Sequence, residues 1–127
     1  MPALRYRVLP GDFAVCRLSP DEAEPSWVRG AGFCNVTRTA EELSIICAAE
    51  RVPAEIRAER GWRVMQVVGP LPFDAVGILA RFVSPLAKVG IPILAAATFD
   101  TDYVLVRQDA LMLAEQALAQ AGHEHVE

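Results

Sequence analysis

The sequence holds only two histidines and three cysteines in 127 residues. Cys16, Cys34 and Cys47 are odd in number and widely spaced, with no CxxC pair, which excludes a disulfide scaffold or a zinc knuckle. Each lies in an apolar, strand-like run, so buried free thiols in a reducing cytoplasm are expected. Basic residues neither dominate nor cluster: 12 Lys and Arg stand against 16 Asp and Glu, for a net charge of −4. No basic face is available for a nucleic-acid backbone. No apolar run is long and charge-free enough to cross a bilayer, and MPALRYRVLPGDF lacks the apolar block and cleavage site of a signal peptide. A cytoplasmic location without membrane contact follows. A P-loop, a Gly-x-Ser-x-Gly elbow and a histidine beside a nucleophile are all missing, so no catalytic residue and no cofactor is expected. His123 and His125, on one side of a strand with Glu127, have metal-ligand chemistry, but an exposed terminal strand is the plainer reading and no metal is assigned.

Hydrophobic residues make up 53% of the chain, enough for one domain or two very small ones sharing a core. Leu4 to Leu9 reads as a strand, Pro10-Gly11-Asp12 as a turn, and Phe13 to Leu18 as a second strand. Ser19-Pro20-Asp21-Glu22 is a helix start, but Pro25 limits that helix to a short or broken one ending by Arg29. Phe33 to Arg38 and Leu43 to Ala48 form a hairpin about Thr39-Ala40-Glu41-Glu42. Glu50 to Arg60, with Pro53 in its first turn, predicts one or two helical turns stopped by Gly61. Trp62 to Val68 is a strand rich in β-branched residues, and Trp27 and Trp62 read as packing residues.

From Phe73, apolar Val76, Leu79, Ala80, Val83 and Ala87 fall on one helical face, kinked at Pro85 and ended by Gly90. Ile91 to Ala97 and Tyr103 to Arg107 are strands, separated by Thr98-Phe99-Asp100-Thr101-Asp102. Asp109 caps a helix from Ala110 to Ala121 with Ala110, Leu113, Ala114, Ala117, Leu118 and Ala121 on one face; Gly122 stops it, and His123 to Val126 closes as a short strand. The order from Trp62 is β-α-β-β-α-β, and the first half is a degenerate copy. The expected fold class is α+β: two ferredoxin-like modules, residues 1–60 and 61–127, each an antiparallel sheet with helices on one face.

The stretch GWRVMQVVGPLPFDAVGILARFVSPLAKVGIPILAAATFDTDYVLV resembles the signature half of small bacterial tandem ACT proteins, relatives of the CASTOR-type arginine sensors. The likeness rests on the Gly61-Trp62-Arg63 strand entry, Gly69-Pro70-Leu71 with Phe73, Gly77-Ile78-Leu79, Pro85-Leu86-Ala87, Gly90-Ile91, and Thr98-Phe99 with Asp102-Tyr103. Asp109, Ala114, Leu118 and Gly122-His123 extend it, and Glu42-Leu43-Ser44-Ile45 resembles the first-half motif. The resemblance implies two ACT-type modules that bind an amino acid or similar metabolite between modules. With two modules per chain, that arrangement requires a homodimer. It further implies that Gly77, Ile78, Leu79, Thr98, Phe99 and Asp102 line the pocket and that Ile91 and Ile93 come from the facing module. Ala75, beside Asp74, stands where the sensors carry an acidic residue, so the likeness does not extend to arginine as the ligand.

Elementary chemistry points the same way. A helix N-terminus suits an α-carboxylate, a glycine there admits close approach, Asp102 can pair with an α-ammonium group, and Phe99 can cover an aliphatic side chain. The expected function is non-catalytic regulation by amino-acid binding at a dimer interface, reported to an effector protein. A structural dimerisation module without ligand is the alternative, with Ile91, Ile93 and Leu94 packed across the interface. A small phosphohydrolase using Asp100 and Asp102 is a more distant one, suggested by likeness to the nucleophile motif of haloacid-dehalogenase-type enzymes.

Overall fold

Alternating β-branched runs set the frame of the protein. The computed structural model describes residues 3–30 and 32–127. Contacts divide them into two units: residues 11–62, and the segment up to Pro10 together with residues 63–127.

The first unit contains β2 (Phe13–Leu18), β3 (Asn35–Arg38), β4 (Leu43–Ala48) and the first half of β5 (Ala58–Val67). Its strand order is β3-β4-β2-β5, with β2 antiparallel to β4 from Phe13↔Ala48 to Leu18↔Leu43. This is the expected βαββαβ order with each helix reduced to a single 3₁₀ turn, Ser26–Val28 and Ala49–Arg51. The hairpin between β3 and β4 is closed by Thr39, whose Oγ1 accepts from the Glu41 and Glu42 amides at 3.1 and 3.2 Å.

Neither of the two short helices expected here extends beyond one turn. After Ser19 the chain closes one turn, with the Glu22 amide donating to the Ser19 carbonyl at 3.1 Å, and Pro25 then prevents continuation. In the segment expected to be helical from Glu50 to Arg60, the Arg60 guanidinium donates at 3.2 Å to the carbonyls of Ala49, Val52 and Pro53. Those carbonyls are satisfied without a helix, and Ala58 to Arg60 are already strand. Gly61 is no helix stop. It lies inside β5 at φ 82°, where the register against β2 shifts from Phe13↔Trp62 to Val15↔Glu59, a bulge that glycine accommodates.

The second unit holds β1 (Arg5–Val8), the rest of β5, α1 (Ile78–Lys88), β6 (Leu94–Ala97), β7 (Asp102–Arg107), α2 (Leu111–Gln120) and β8 (Glu124–His125). Its strand order is β6-β7-β5-β1-β8. The N-terminal strand, expected in the first module, is built into this sheet instead: β1 runs antiparallel to β5 (Tyr6↔Val67) and parallel to β8 (Arg5↔Glu124). The expected division after residue 60 falls within β5.

Both helices cover one face of this sheet. Phe82 and Leu86 of α1 and Ala114, Ala117 and Leu118 of α2 pack on Leu4, Tyr6, Met65, Val67, Val104 and Val106, all buried. The α1 face is rotated from expectation. Leu79 and Val83 are half-buried, but Val76, Ala80 and Ala87 are exposed and Phe82 is buried, because the helix begins only at Ile78, after Gly77 turns the chain at φ 79°. Leu113 and Ala121 of the expected α2 face are exposed as well, and Asp109 makes no cap: a 3₁₀ turn, Gln108–Ala110, leads into the helix.

The helices end alike. The Ile91 amide donates to Leu86 and the Gly90 amide to Ala87; the His123 amide donates to Leu118 and the Gly122 amide to Ala119, all at 3.0 Å. Each ending places a glycine with positive φ just past the helix, the Schellman arrangement.

Pro85 does not end α1. Lacking an N–H, it leaves the Arg81 carbonyl without its helical donor, and His123 takes that place with Nε2 at 3.3 Å. His123 Nδ1 in turn accepts from the Leu4 amide at 3.0 Å. A backbone amide only donates and a carbonyl only accepts, so the proton of His123 resides on Nε2.

Cys16 and Cys47 are buried and Cys34 is exposed, contrary to the expectation of three buried thiols, because β3 begins only at Asn35. Burial, with Cys47 nearby, pushes the Cys16 thiol up to about 11 and raises Cys47, so both stay protonated and poorly nucleophilic. Among the described residues, no helix is long and apolar enough to cross a membrane.

Candidate functional site

The turn from Val67 to Gly77 and the hairpin between β6 and β7 are held against each other by short-range necessity. The Thr101 hydroxyl, one of the few buried polar groups, donates to the Val67 carbonyl at 2.6 Å. The Leu71 amide donates to the Asp100 carbonyl at 2.7 Å. Gly69 lies so close that a Cβ on it would sit 2.7 Å from the Asp100 carbonyl oxygen and 3.1 Å from Thr101 Cβ. Gly69→Ala is therefore expected to destabilise the protein by about 1–3 kcal/mol, read as a lower urea midpoint, and to displace Leu71 from Asp100. An unchanged midpoint would contradict the close approach.

These two segments enclose a cleft of about 260 Å³ lined by Leu71, Pro72, Phe73, Ala75, Ile78, Ala97, Thr98, Phe99, Asp100, Thr101 and Asp102. Of the residues singled out from sequence, Ile78, Thr98, Phe99 and Asp102 line it. Gly77 sits one residue before Ile78 as the N-cap of α1, with open space where a side chain would be. Leu79 packs half-buried against the core. Ile91 is buried in the core and Ile93 packs against it, since the ending of α1 turns Ile91 back under the helix; neither lines the cleft. The lining residues Leu71, Pro72, Phe73 and Ala75 were not singled out as site residues; their signal was the Gly69-Pro70 turn.

The cleft offers both signs of charge. At one side is the start of α1. No side chain caps it, and the first amide with a helical acceptor is that of Arg81, bonded to Gly77 at 2.9 Å. The preceding amides give a donor cluster with partial positive charge. At the other side stands the half-buried Asp102, whose carboxylate makes no hydrogen bond or ion pair among the described residues. Thr98 is committed to its own turn: its hydroxyl donates to the Thr101 carbonyl at 3.1 Å. The rim is apolar and open. Phe73 and Phe99 meet edge to face at 4.8 Å yet remain 77% and 78% exposed, and Val76 is 90% exposed.

The two C-terminal histidines lie elsewhere. His125 stacks on Tyr6 at 5.1 Å and stands 3.5 Å from Glu115. Burial, with the charge of Glu115, raises the Tyr6 phenol to about 12. Among the described residues, no group of three or more His, Cys, Asp or Glu is placed to hold a metal ion.

Comparison with known proteins agrees with this fold. Residues 57–120 match the family model of the ACT domain, and residues 11–55 match a model described as an N-terminal domain. The chain is similar to the cytosolic arginine sensor for mTORC1 subunit 1 of Mus musculus, at 41% identity over 51 residues; the match takes in 39% of this chain and 15% of the sensor. It is also similar to a protein of Agobacterium tumefaciens of known crystal structure, at 40% identity, with 99% of this chain and 94% of that one covered and a TM-score of 0.94. The fold recurs in the regulatory subunit of aspartate kinase from Thermus thermophilus, at 16% identity and a TM-score of 0.60, with 91% and 95% covered. With one family model spanning half its length and a relative matched end to end, this chain belongs to the ACT domain family.

Proposed function

We propose that this chain is a non-catalytic regulatory protein that binds an amino acid in the cleft between the start of α1 and the β6–β7 hairpin. The observation that carries the reading is the half-buried Asp102 carboxylate without a partner, lining the same cleft as the uncapped start of α1. A free amino acid supplies the two missing charges: its α-carboxylate for the amides near Ile78, its α-ammonium for Asp102. Phe99 and Phe73 then cover its side chain. Ala75 at the rim leaves no second carboxylate at that position for a cationic side chain.

The cleft is open, and Phe73, Val76 and Phe99 expose more apolar surface than a monomer needs. A second copy closing over the ligand covers this rim, and a ligand that binds the closed pair better than the open one shifts the population between them. An effector protein in the cytoplasm reads that shift. The same exposed rim also supports the alternative of a structural dimer that holds no ligand.

A thermal-shift screen against the common amino acids tests the proposal. A ligand at about a hundred times its dissociation constant adds roughly 2.7 kcal/mol, a rise of about 10 °C for a domain of this size. Asp102→Ala is expected to weaken that binding roughly tenfold to a hundredfold, as loss of a hydrogen bond to a charged group does. A confirmed amino-acid ligand whose affinity ignores Asp102→Ala refutes the assignment of the site. No shift with any amino acid, alongside a stable dimer, favours the structural alternative.

A further inference from the structure

A second cleft, of about 330 Å³, opens on the solvent side of the two helices and is lined by Ala80, Arg81, Ser84, Pro85, Lys88, Ala121 and His123. Arg81, Ser84 and Lys88 are spaced i, i+3 and i+7, which puts them along one stripe of α1 about 10 Å long. The stripe is unusual for a chain of net charge −4: two cations line the cleft and no carboxylate does. Among the described residues neither Arg81 nor Lys88 has an ion-pair partner, and the Arg81 Nε is buried without an acceptor. A buried Nε–H without an acceptor is unfavourable, and an anion in the cleft could supply that acceptor.

The remaining wall is fixed in place. His123 bridges the Arg81 carbonyl, left open by Pro85, and the Leu4 amide, so the loop after α2 is tied beside the cationic stripe. Ser84, which also lines the cleft, donates its hydroxyl to the Ala80 carbonyl at 2.6 Å, and that hydroxyl could turn to an anion instead. Beyond Pro85 and Ala121 the groove continues between the helices over Val89 and Ala117, an apolar bed for the rest of a small molecule.

We infer that this groove is a second ligand site, distinct from the cleft at Asp102, and that it takes a small anionic metabolite bearing a phosphate or carboxylate. Arg81 and Lys88 hold the anionic group and the apolar bed holds its carbon portion. Arg81 is suited to the forked geometry of either group, and Lys88 adds a point charge.

The test is an amide NMR titration of the whole chain with inorganic phosphate and, separately, with succinate. The expected result is saturable shifts confined to Arg81, Ser84, Lys88, Ala121 and His123, with a dissociation constant of about 10 mM or tighter for at least one probe. The probe that binds tells phosphate from carboxylate. Lys88→Gln, at an exposed position that leaves the core untouched, is expected to weaken binding about tenfold, and Arg81→Gln by at least as much. Asp102→Ala is expected to leave it unchanged. Shifts that stay linear to about 100 mM with both probes, or that persist in Lys88→Gln and Arg81→Gln, overturn the inference. Saturable shifts centred on Ile78 and its neighbours at the start of α1 overturn it too, since the anion then occupies the other cleft.

Discussion

Phe82→Ala is expected to lower the unfolding free energy by about 3–5 kcal/mol, the range for deleting a buried aromatic side chain. Phe82 is fully buried at the centre of the α1 contact, edge to face with Tyr6 at 5.5 Å and beside Leu86 and Leu118 in one core cluster. Its core cluster is drawn from strands β1, β5 and β7 and the second helix, so refilling the space would require moving residues that those elements hold in place. For a protein of ordinary stability this removes a large part of the total. Urea denaturation followed by circular dichroism checks it. A loss below about 1 kcal/mol would mean that α1 is held by its ends and not by this ring. Phe99→Ala is the contrast, since that ring is 78% exposed and its loss should leave the urea midpoint nearly unmoved.

His123→Ala is expected to cost about 2–4 kcal/mol, more than a half-exposed histidine ordinarily contributes. The imidazole satisfies two backbone groups, the Leu4 amide and the Arg81 carbonyl that Pro85 cannot serve, and orphaning each costs about 1–3 kcal/mol where it is buried. Its ring also lies 6.0 Å from Phe82. His123→Phe separates the two contributions, since it keeps a ring beside Phe82 and removes both bonds. If the hydrogen bonds matter, His123→Phe recovers little stability and the Leu4 amide exchanges quickly with solvent in both variants. Full recovery by phenylalanine would assign the effect to packing alone.

How far this could be read from the sequence varies with the range of the interaction responsible. The strands Phe13–Leu18 and Leu43–Ala48 match the expectation residue for residue, because alternation and a local turn at Thr39 determine them. Gly90 and Gly122 marked both helix ends for the same reason. Ala58 to Arg60 are strand although they are charged and carry no strand pattern; the bonds from Arg60 back to Ala49, Val52 and Pro53 that hold this segment are not visible in a local window. The strand Leu4 to Leu9 was legible, but its place was not, since its partners lie at Val67 and Glu124. At the site, resemblance pointed to Ile78, Thr98, Phe99 and Asp102, which the fold gathers about one cleft. The burial of Ile91 within its own chain depends on how α1 ends, with its amide on Leu86, and not on the apolar run it begins. The cleft beside Arg81 and Lys88 had no local signal, since His123, which lines it together with Pro85, lies far from α1 in sequence.

The position of β1 between β5 and β8 also governs the order in which the protein can be assembled. Residues 11–62 form a unit contiguous in sequence, whose β3–β4 hairpin closes a loop of only a few residues. The unit that carries the proposed ligand cleft is different. Its first strand is made ahead of residues 11–62, yet pairs through Arg5↔Glu124 and Tyr6↔His125 with residues made well after them. Closing so long a loop is entropically demanding, and high contact order slows folding. On the ribosome, then, β1 can pair with β5 once Val67 has emerged, but its other edge stays open, and the unit with the proposed cleft gains its complete sheet only when β8 has been made.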